Sequence, residues 1–135
     1  MIIDGTNLLL GRLGAFVAKQ ALLGEEIFIV NSEKTVVSGN RKMIMANYHQ
    51  KHMRGHPFSG PFFPVREDLI VRRTIRGMLP WQRSRGREAY RRVRCYIGVP
   101  AELAGKKFDT VESANVSKLP NFKYVKLGEI SSQLR

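Results

Sequence analysis

The stretch from Ile2 to Asn31, IIDGTNLLLGRLGAFVAKQALLGEEIFIVN, decides the fold. Ile2-Ile3 begins a short apolar strand that closes at Asp4-Gly5. Thr6 and Asn7 have side-chain oxygens suited to capping a helix N-terminus. Beyond them Leu9, Leu13, Phe16 and Val17 recur at the spacing of one helix face. Gly24 follows as a helix stop. Glu26-Ile27-Phe28-Ile29-Val30-Asn31 is then a β-branched apolar run between polar residues, the pattern of a buried strand. Strand, helix and strand joined by short turns predict a right-handed βαβ unit.

Outward from this unit the same reasoning continues. Thr35-Val36-Val37 is a further short extended piece before Ser38-Gly39-Asn40, and a helix starts after Asn40 through Met43, Ile44 and Tyr48. From Lys51 to Arg66 the prolines Pro57, Pro61 and Pro64, with Gly55 and Gly60, preclude a regular element. Phe58, Phe62 and Phe63 are expected to anchor that loop. Glu67 and Asp68 mark the acidic first turn of another helix. Within it Val71, Ile75 and Met78 share one face, with Arg72, Arg73 and Arg76 roughly opposite. It ends before Pro80, which disfavours helix at the preceding residue. A short helix is expected around Glu88 to Arg92, a strand over Val93–Ile97, and a terminal helix over Leu127–Leu134. The 135 residues suit one domain, less regular over 101–135, and 43% hydrophobic residues suffice for a core.

Charge narrows the function. The chain carries 23 Lys and Arg against 11 Asp and Glu, a net +12. Residues 1–40 are at −1 and residues 95–135 at +2, whereas residues 41–94 hold 14 cations and 3 acids, a net +11. Arg72, Arg73, Arg76, Arg83, Arg85, Arg87, Arg91, Arg92 and Arg94 fall within 23 residues, with Glu88 the single acid among them. Such a concentration repels itself unless a polyanion neutralises it. Guanidinium forks match phosphate and their planes stack on bases. Trp81 and Tyr90, interleaved with the cluster, suit either base stacking or packing.

Other chemistries lack their residues. Gly11 and Gly14 lie inside the first helix, where neither a GxGxxG turn nor a GxxxxGK phosphate loop places its glycines. His49, His52 and His56 have cations between them and no Cys or carboxylate partner, so phosphate or base contact suits them better than a metal. Cys95 has no base at a meaningful spacing and is expected to be a small core residue. No acid/base pair is evident, which argues against an α/β enzyme acting on nucleotides. The absence of helix-turn-helix, zinc-finger or RNP patterns argues against a sequence-reading DNA-binding protein. No cofactor and no small-molecule substrate are expected. The apolar runs are too short to span a bilayer, and the N-terminus lacks the basic and apolar regions of a signal peptide, so the expected location is cytosolic.

Several motifs carry a family resemblance. Gly77-Met78-Leu79-Pro80, then Arg85-Gly86, Ala89 and Arg92, then Tyr96, Gly98 and Pro100, resemble the signature region of the universal large-subunit ribosomal protein L13 family. Asp4-Gly5, Leu10-Gly11-Arg12-Leu13, Val17-Ala18-Lys19, Val30-Asn31 and Ser38-Gly39-Asn40 are similar to the same family. Gly24 runs directly into Ile27 without the insertion of bacterial members, and the chain stops at Arg135 without the basic extension of eukaryotic ones. Both features resemble archaeal members. The resemblance implies a three-layer α/β/α domain around a mostly parallel four-stranded sheet. It implies no enzymatic activity, and binding to large-subunit rRNA (23S-type) early in subunit assembly, beside neighbouring ribosomal proteins. Arg76, Arg83, Arg85, Arg87, Arg91 and Arg92 are the implied phosphate contacts; Lys42, His49, Lys51, His52 and Arg54 form a secondary set, and Arg72, Arg73 and Arg94 complete the cationic surface. Trp81 departs from the more polar residue often found after Pro80 in the family.

Overall fold

The computed structural model describes residues 1–121 and 123–135. Its core is the predicted βαβ unit: β1 (Ile2–Asp4), α1 (Leu10–Leu22) and β2 (Ile27–Val30). The strands pair in parallel, with Ile3 opposite Ile29, and β4 (Val93–Cys95) joins the other edge of β2, with Ile27 opposite Val93. Alternation along these strands sends Ile3, Ile27, Ile29 and Val93 into a fully buried layer. Helices α1, α3 (Glu67–Gly77) and α4 (Ser84–Arg91) pack together beside it, and α3 and α4 both contact β4. Leu13 and Val17 of α1 and Ile70, Val71 and Ile75 of α3 complete this core.

Helix α1 begins three residues later than Asn7. Thr6 donates its hydroxyl to Asp4 Oδ1 at 2.6 Å, and Asn7 sits at φ 59°. Leu8 and Leu9 then remain extended, with both side chains buried. Leu9 N–H donates to the Ala114 carbonyl at 2.7 Å, and the Leu8 carbonyl accepts from Val36 at 2.9 Å. Burial of two leucines in an extended, hydrogen-bonded backbone outweighs a side-chain cap, and α1 has none.

The fourth parallel strand is absent among the described residues. Asn31 takes a left-handed φ of 56°, and a 3₁₀ turn at Ser32–Lys34 swings the chain away from the sheet. The next extended piece, β3 (Val36–Ser38), instead pairs antiparallel with β5 (Tyr124–Lys126), Val37 opposite Val125. On the free edge of β1 a single residue takes the fourth strand's place. Asp4 N–H donates to the Asp109 carbonyl at 3.0 Å, and Asp109 N–H donates to the Ile2 carbonyl at 2.7 Å. Around Asp109 the sequence has no alternating apolar run with which to extend the pairing. The architecture is thus three parallel strands plus a separate two-stranded sheet.

Helix α2 (Arg41–Met53) starts after Asn40 as expected, and the Asn40 side chain caps it by accepting from Lys42 N–H at 3.0 Å. It packs against the terminal α5 (Leu127–Leu134), whose Leu127 and Ile130 are fully buried. Buried Val111, Ala114 and Val125 tie the irregular C-terminal segment to the same core.

Candidate nucleic-acid interface

Helix α3 buries Ile70, Val71 and Ile75 and turns Arg73 outward. Met78, expected on the buried face, is the C-cap residue and is 41% exposed. Its sulfur lies where a Cβ on Gly14 would approach to 3.1 Å, so it covers α1 from outside the core. Leu79 is buried instead, and the chain turns tightly there: Trp81 N–H donates to the Leu79 carbonyl at 2.8 Å and Arg83 N–H to the Pro80 carbonyl at 2.9 Å.

Helix α4 starts at Ser84, a full turn before Glu88. Gly86, expected to precede the helix, lies inside it and is its buried contact with the turn: a Cβ there would lie 2.1 Å from the Pro80 carbonyl oxygen. Gly86 and Ala89 face inward. Arg83, Arg85, Arg87 and Arg91 are all exposed, as are Arg73 on α3 and Arg94 on β4.

Three arginines of the cluster are half-buried and have intramolecular work. The Arg76 guanidinium sits 4.3 Å from the Trp81 ring centre, and that of Arg72 sits 4.2 Å from Tyr90. Between them Trp81 and Tyr90 meet edge-to-face at 5.0 Å. Arg72 Nε also donates to the Val93 carbonyl at 3.1 Å, joining α3 to β4. Arg92 donates to the Ala21 carbonyl at 2.8 Å, where a cation complements the C-terminal end of α1. The two aromatics are therefore part of a cation–aromatic ladder that orients the α3–α4 turn.

Among the described residues, the ion pairs are Arg41–Glu129 at 2.9 Å, Arg66–Asp68 at 3.1 Å and Arg135–Glu67 at 3.5 Å. None involves the nine arginines from Arg72 to Arg94. Among the described residues, no carboxylate therefore pairs with the cationic surface.

The secondary set lies on α2 and the loop after it. Lys42 and His49 are exposed and border a shallow hollow with Met45 and Gln133. Lys51 lays its ammonium 5.2 Å from the Tyr48 ring centre and 5.8 Å from that of Phe63. His52 is half-buried and Arg54 exposed. Only Phe63 of the three phenylalanines anchors the loop, edge-to-face on Tyr48 at 6.0 Å. Phe58 and Phe62 are 91% and 69% exposed, contrary to the expectation of three apolar anchors. All three lie in a stretch with no carboxylate between Glu33 and Glu67, so local sequence does not separate the anchor from the exposed pair.

The remaining reactive groups are structural. Burial pushes the Cys95 thiol up to about 12, with only partial relief from nearby Arg72, so no thiolate nucleophile forms at neutral pH. It ends β4 half-buried against the core. His56 Nδ1 accepts the Phe58 N–H at 3.2 Å. Among the described residues no cluster of three or more His, Cys, Asp or Glu is placed to hold a metal ion, and no helix is long and apolar enough to cross a membrane.

Fold and surface together define a basic α/β protein whose cations gather on an α-helical hairpin and the adjoining strand. The family model for ribosomal protein L13 matches residues 1–102. The large ribosomal subunit protein uL13 of Methanosarcina barkeri is 48% identical over 134 residues, 98% of this chain and 96% of that one. Those of Methanopyrus kandleri and Archaeoglobus fulgidus are 47% and 46% identical, each over 98% of this chain and over 85% and 86% of their own length. The chain belongs to the ribosomal protein L13 family and is of its archaeal type.

Proposed function

We propose that this protein is a structural constituent of the large ribosomal subunit, located in the cytoplasmic ribosome, that binds large-subunit rRNA through its arginine-rich surface and joins the subunit early in assembly. Its relatives are named large ribosomal subunit proteins, a family of structural components and not of enzymes. The observation that carries the RNA reading is the set of six exposed arginines, Arg73, Arg83, Arg85, Arg87, Arg91 and Arg94, none paired with a carboxylate among the described residues. Phosphates supply the missing counter-charge. Arg72, Arg76 and Arg92 position the surface, through the aromatic ladder and the Val93 and Ala21 carbonyls. Lys42, His49, Lys51, His52 and Arg54 extend contact along α2. A rigid cationic surface of this kind recognises folded RNA by backbone shape and fixes RNA helices relative to one another.

The test is binding to large-subunit rRNA across a salt series. Contacts with about 6 to 10 phosphates predict a roughly 10³- to 10⁵-fold loss of affinity between 50 and 200 mM salt. Replacing Arg83, Arg85 and Arg87 together with Gln should flatten the log–log salt slope by about three, with the melting temperature preserved. Salt-independent binding, or an unchanged slope in the triple variant, would overturn the reading.

A further inference from the structure

The loop between α2 and α3 closes on itself in a way the arginine surface does not require. His56 and Gly60 exchange both backbone hydrogen bonds at 2.9 Å, forming a small hairpin with Phe58 near its tip. Gly55 lies at φ 98°, where a Cβ would sit 2.6 Å from the Gly60 carbonyl, so the hairpin's base requires glycine. Phe63 pins the other side of the loop to Tyr48. The loop is thus organised, yet it holds Phe58 and Phe62 out in solvent. Exposing two aromatic rings on a closed hairpin opposes the hydrophobic effect unless something covers them.

The surroundings say what covers them. His52, Arg54, His56, Pro57 and Phe62 line one groove at the hairpin's base. His56 Nδ1 is occupied as an acceptor by Phe58 N–H, so its Nε2 carries the proton and is a donor. His52 Nδ1 is shielded from solvent and has no hydrogen-bond partner among the described residues. The cations from Lys34 to Arg66 number six, with no acid from residue 34 to residue 66. Aromatic faces beside donors, in a carboxylate-free cationic field, match a nucleotide: a base to stack on and a phosphate to pair with.

We infer that the hairpin at residues 55–61 is a second RNA subsite, which stacks an unpaired base against Phe58 and Phe62 while Arg54 and His56 hold the adjacent phosphate. The inference rests on the rRNA reading above and adds a distinct mode of contact. The exposed arginines lie on α3, α4, the turn between them and β4, whereas the hairpin belongs to the loop between α2 and α3. One surface would grip backbone; the other would take a base splayed out of its helix.

Three variants of the full chain, Phe58→Ala, Phe58→Leu and Phe58→Trp, test this on large-subunit rRNA at fixed salt. A 91% exposed side chain is dispensable for folding, which circular dichroism checks in each variant. Phe58→Ala and Phe58→Leu should weaken binding roughly 5- to 150-fold, and Phe58→Trp should restore it. The salt slope should stay that of the parent protein, since no charge changes. A benzophenone amino acid at position 58, photoactivated in assembled subunits, should crosslink to unpaired rRNA nucleotides. Crosslinking to a ribosomal protein, or affinity indifferent to all three variants while the parent binds with a steep salt slope, would overturn the hairpin subsite and leave the arginine surface standing. Parent protein with no salt-dependent rRNA binding would remove both.

Discussion

At the scale of single residues, Asp4 shows how a polar group is spent on holding strand ends together. Burial alone raises its carboxyl, but bonds from the Thr6 hydroxyl, the Asn31 amide and Thr6 N–H, with the Lys34 ammonium, outweigh that and hold it below the usual carboxylate value. Those donors reach across the ends of β1 and β2, Asn31 Nδ2 donating at 3.0 Å. A carboxylate held below its unfolded value stabilises the fold above that value, and the contribution fades as pH falls through the folded one. Chemical denaturation between pH 6 and pH 2 should therefore show a loss of stability on acidification, and Asp4→Asn should have a shallower acid limb than the parent. Equal slopes would mean that the bonds do not discriminate between protonation states. The same residue explains why Thr6 does not cap α1: its hydroxyl is already engaged.

At the scale of elements, the α3–turn–α4 hairpin depends on a contact without a side chain. With 2.1 Å between a hypothetical Cβ and the Pro80 carbonyl oxygen, Gly86→Ala must push α4 off the turn. Overpacking of this kind costs about 1–3 kcal/mol. The melting temperature should fall by several degrees, and rRNA affinity should fall with it because Arg83, Arg85 and Arg87 ride on that helix. Gly77→Ala is the matched control: a Cβ there meets nothing within 4 Å, and alanine favours helix. It should leave the melting temperature unchanged or raise it. Equal effects of the two substitutions would contradict the assigned role of Gly86.

At the scale of the whole molecule, a net +12 on 135 residues is self-repulsive, and residues 41–94 carry +11 of it. The folded state gathers those charges more closely than the unfolded chain does, so a bound polyanion should stabilise the fold. Thermal melts with a structured rRNA fragment or with inorganic polyphosphate should move upward, and neutral dextran should leave them in place. A melting temperature indifferent to polyphosphate would imply that the arginines are already neutralised within the protein. The same field accounts for the ion pairs that are present. Glu67, Asp68 and Glu129 lie outside the arginine cluster, where they bind Arg135, Arg66 and Arg41.

Much of this is written in local sequence. The short apolar runs at residues 2–3 and 27–30 and the period-3.6 pattern between them dictate β1, α1 and β2, because a bounded apolar run or a one-face stripe is a property of neighbours along the chain. The excess of arginine over acid between Arg72 and Arg94 is likewise plain, since charge needs no partner to be counted. Tertiary structure alone decided what depends on distant contacts. It pairs β3 with β5, 88 positions apart at Val37 and Val125, and leaves a single residue, Asp109, at the edge of β1. It turns Arg72 and Arg92 inward to carbonyls that sequence spacing does not indicate, and leaves Arg83, Arg85 and Arg87 exposed. It makes Gly86 the contact between α4 and the Pro80 turn, and holds Phe58 and Phe62 in solvent beside a partly buried Phe63 anchor. Composition specifies how much charge and apolar surface the chain has; only the packing of remote segments decides which of it is left for a partner.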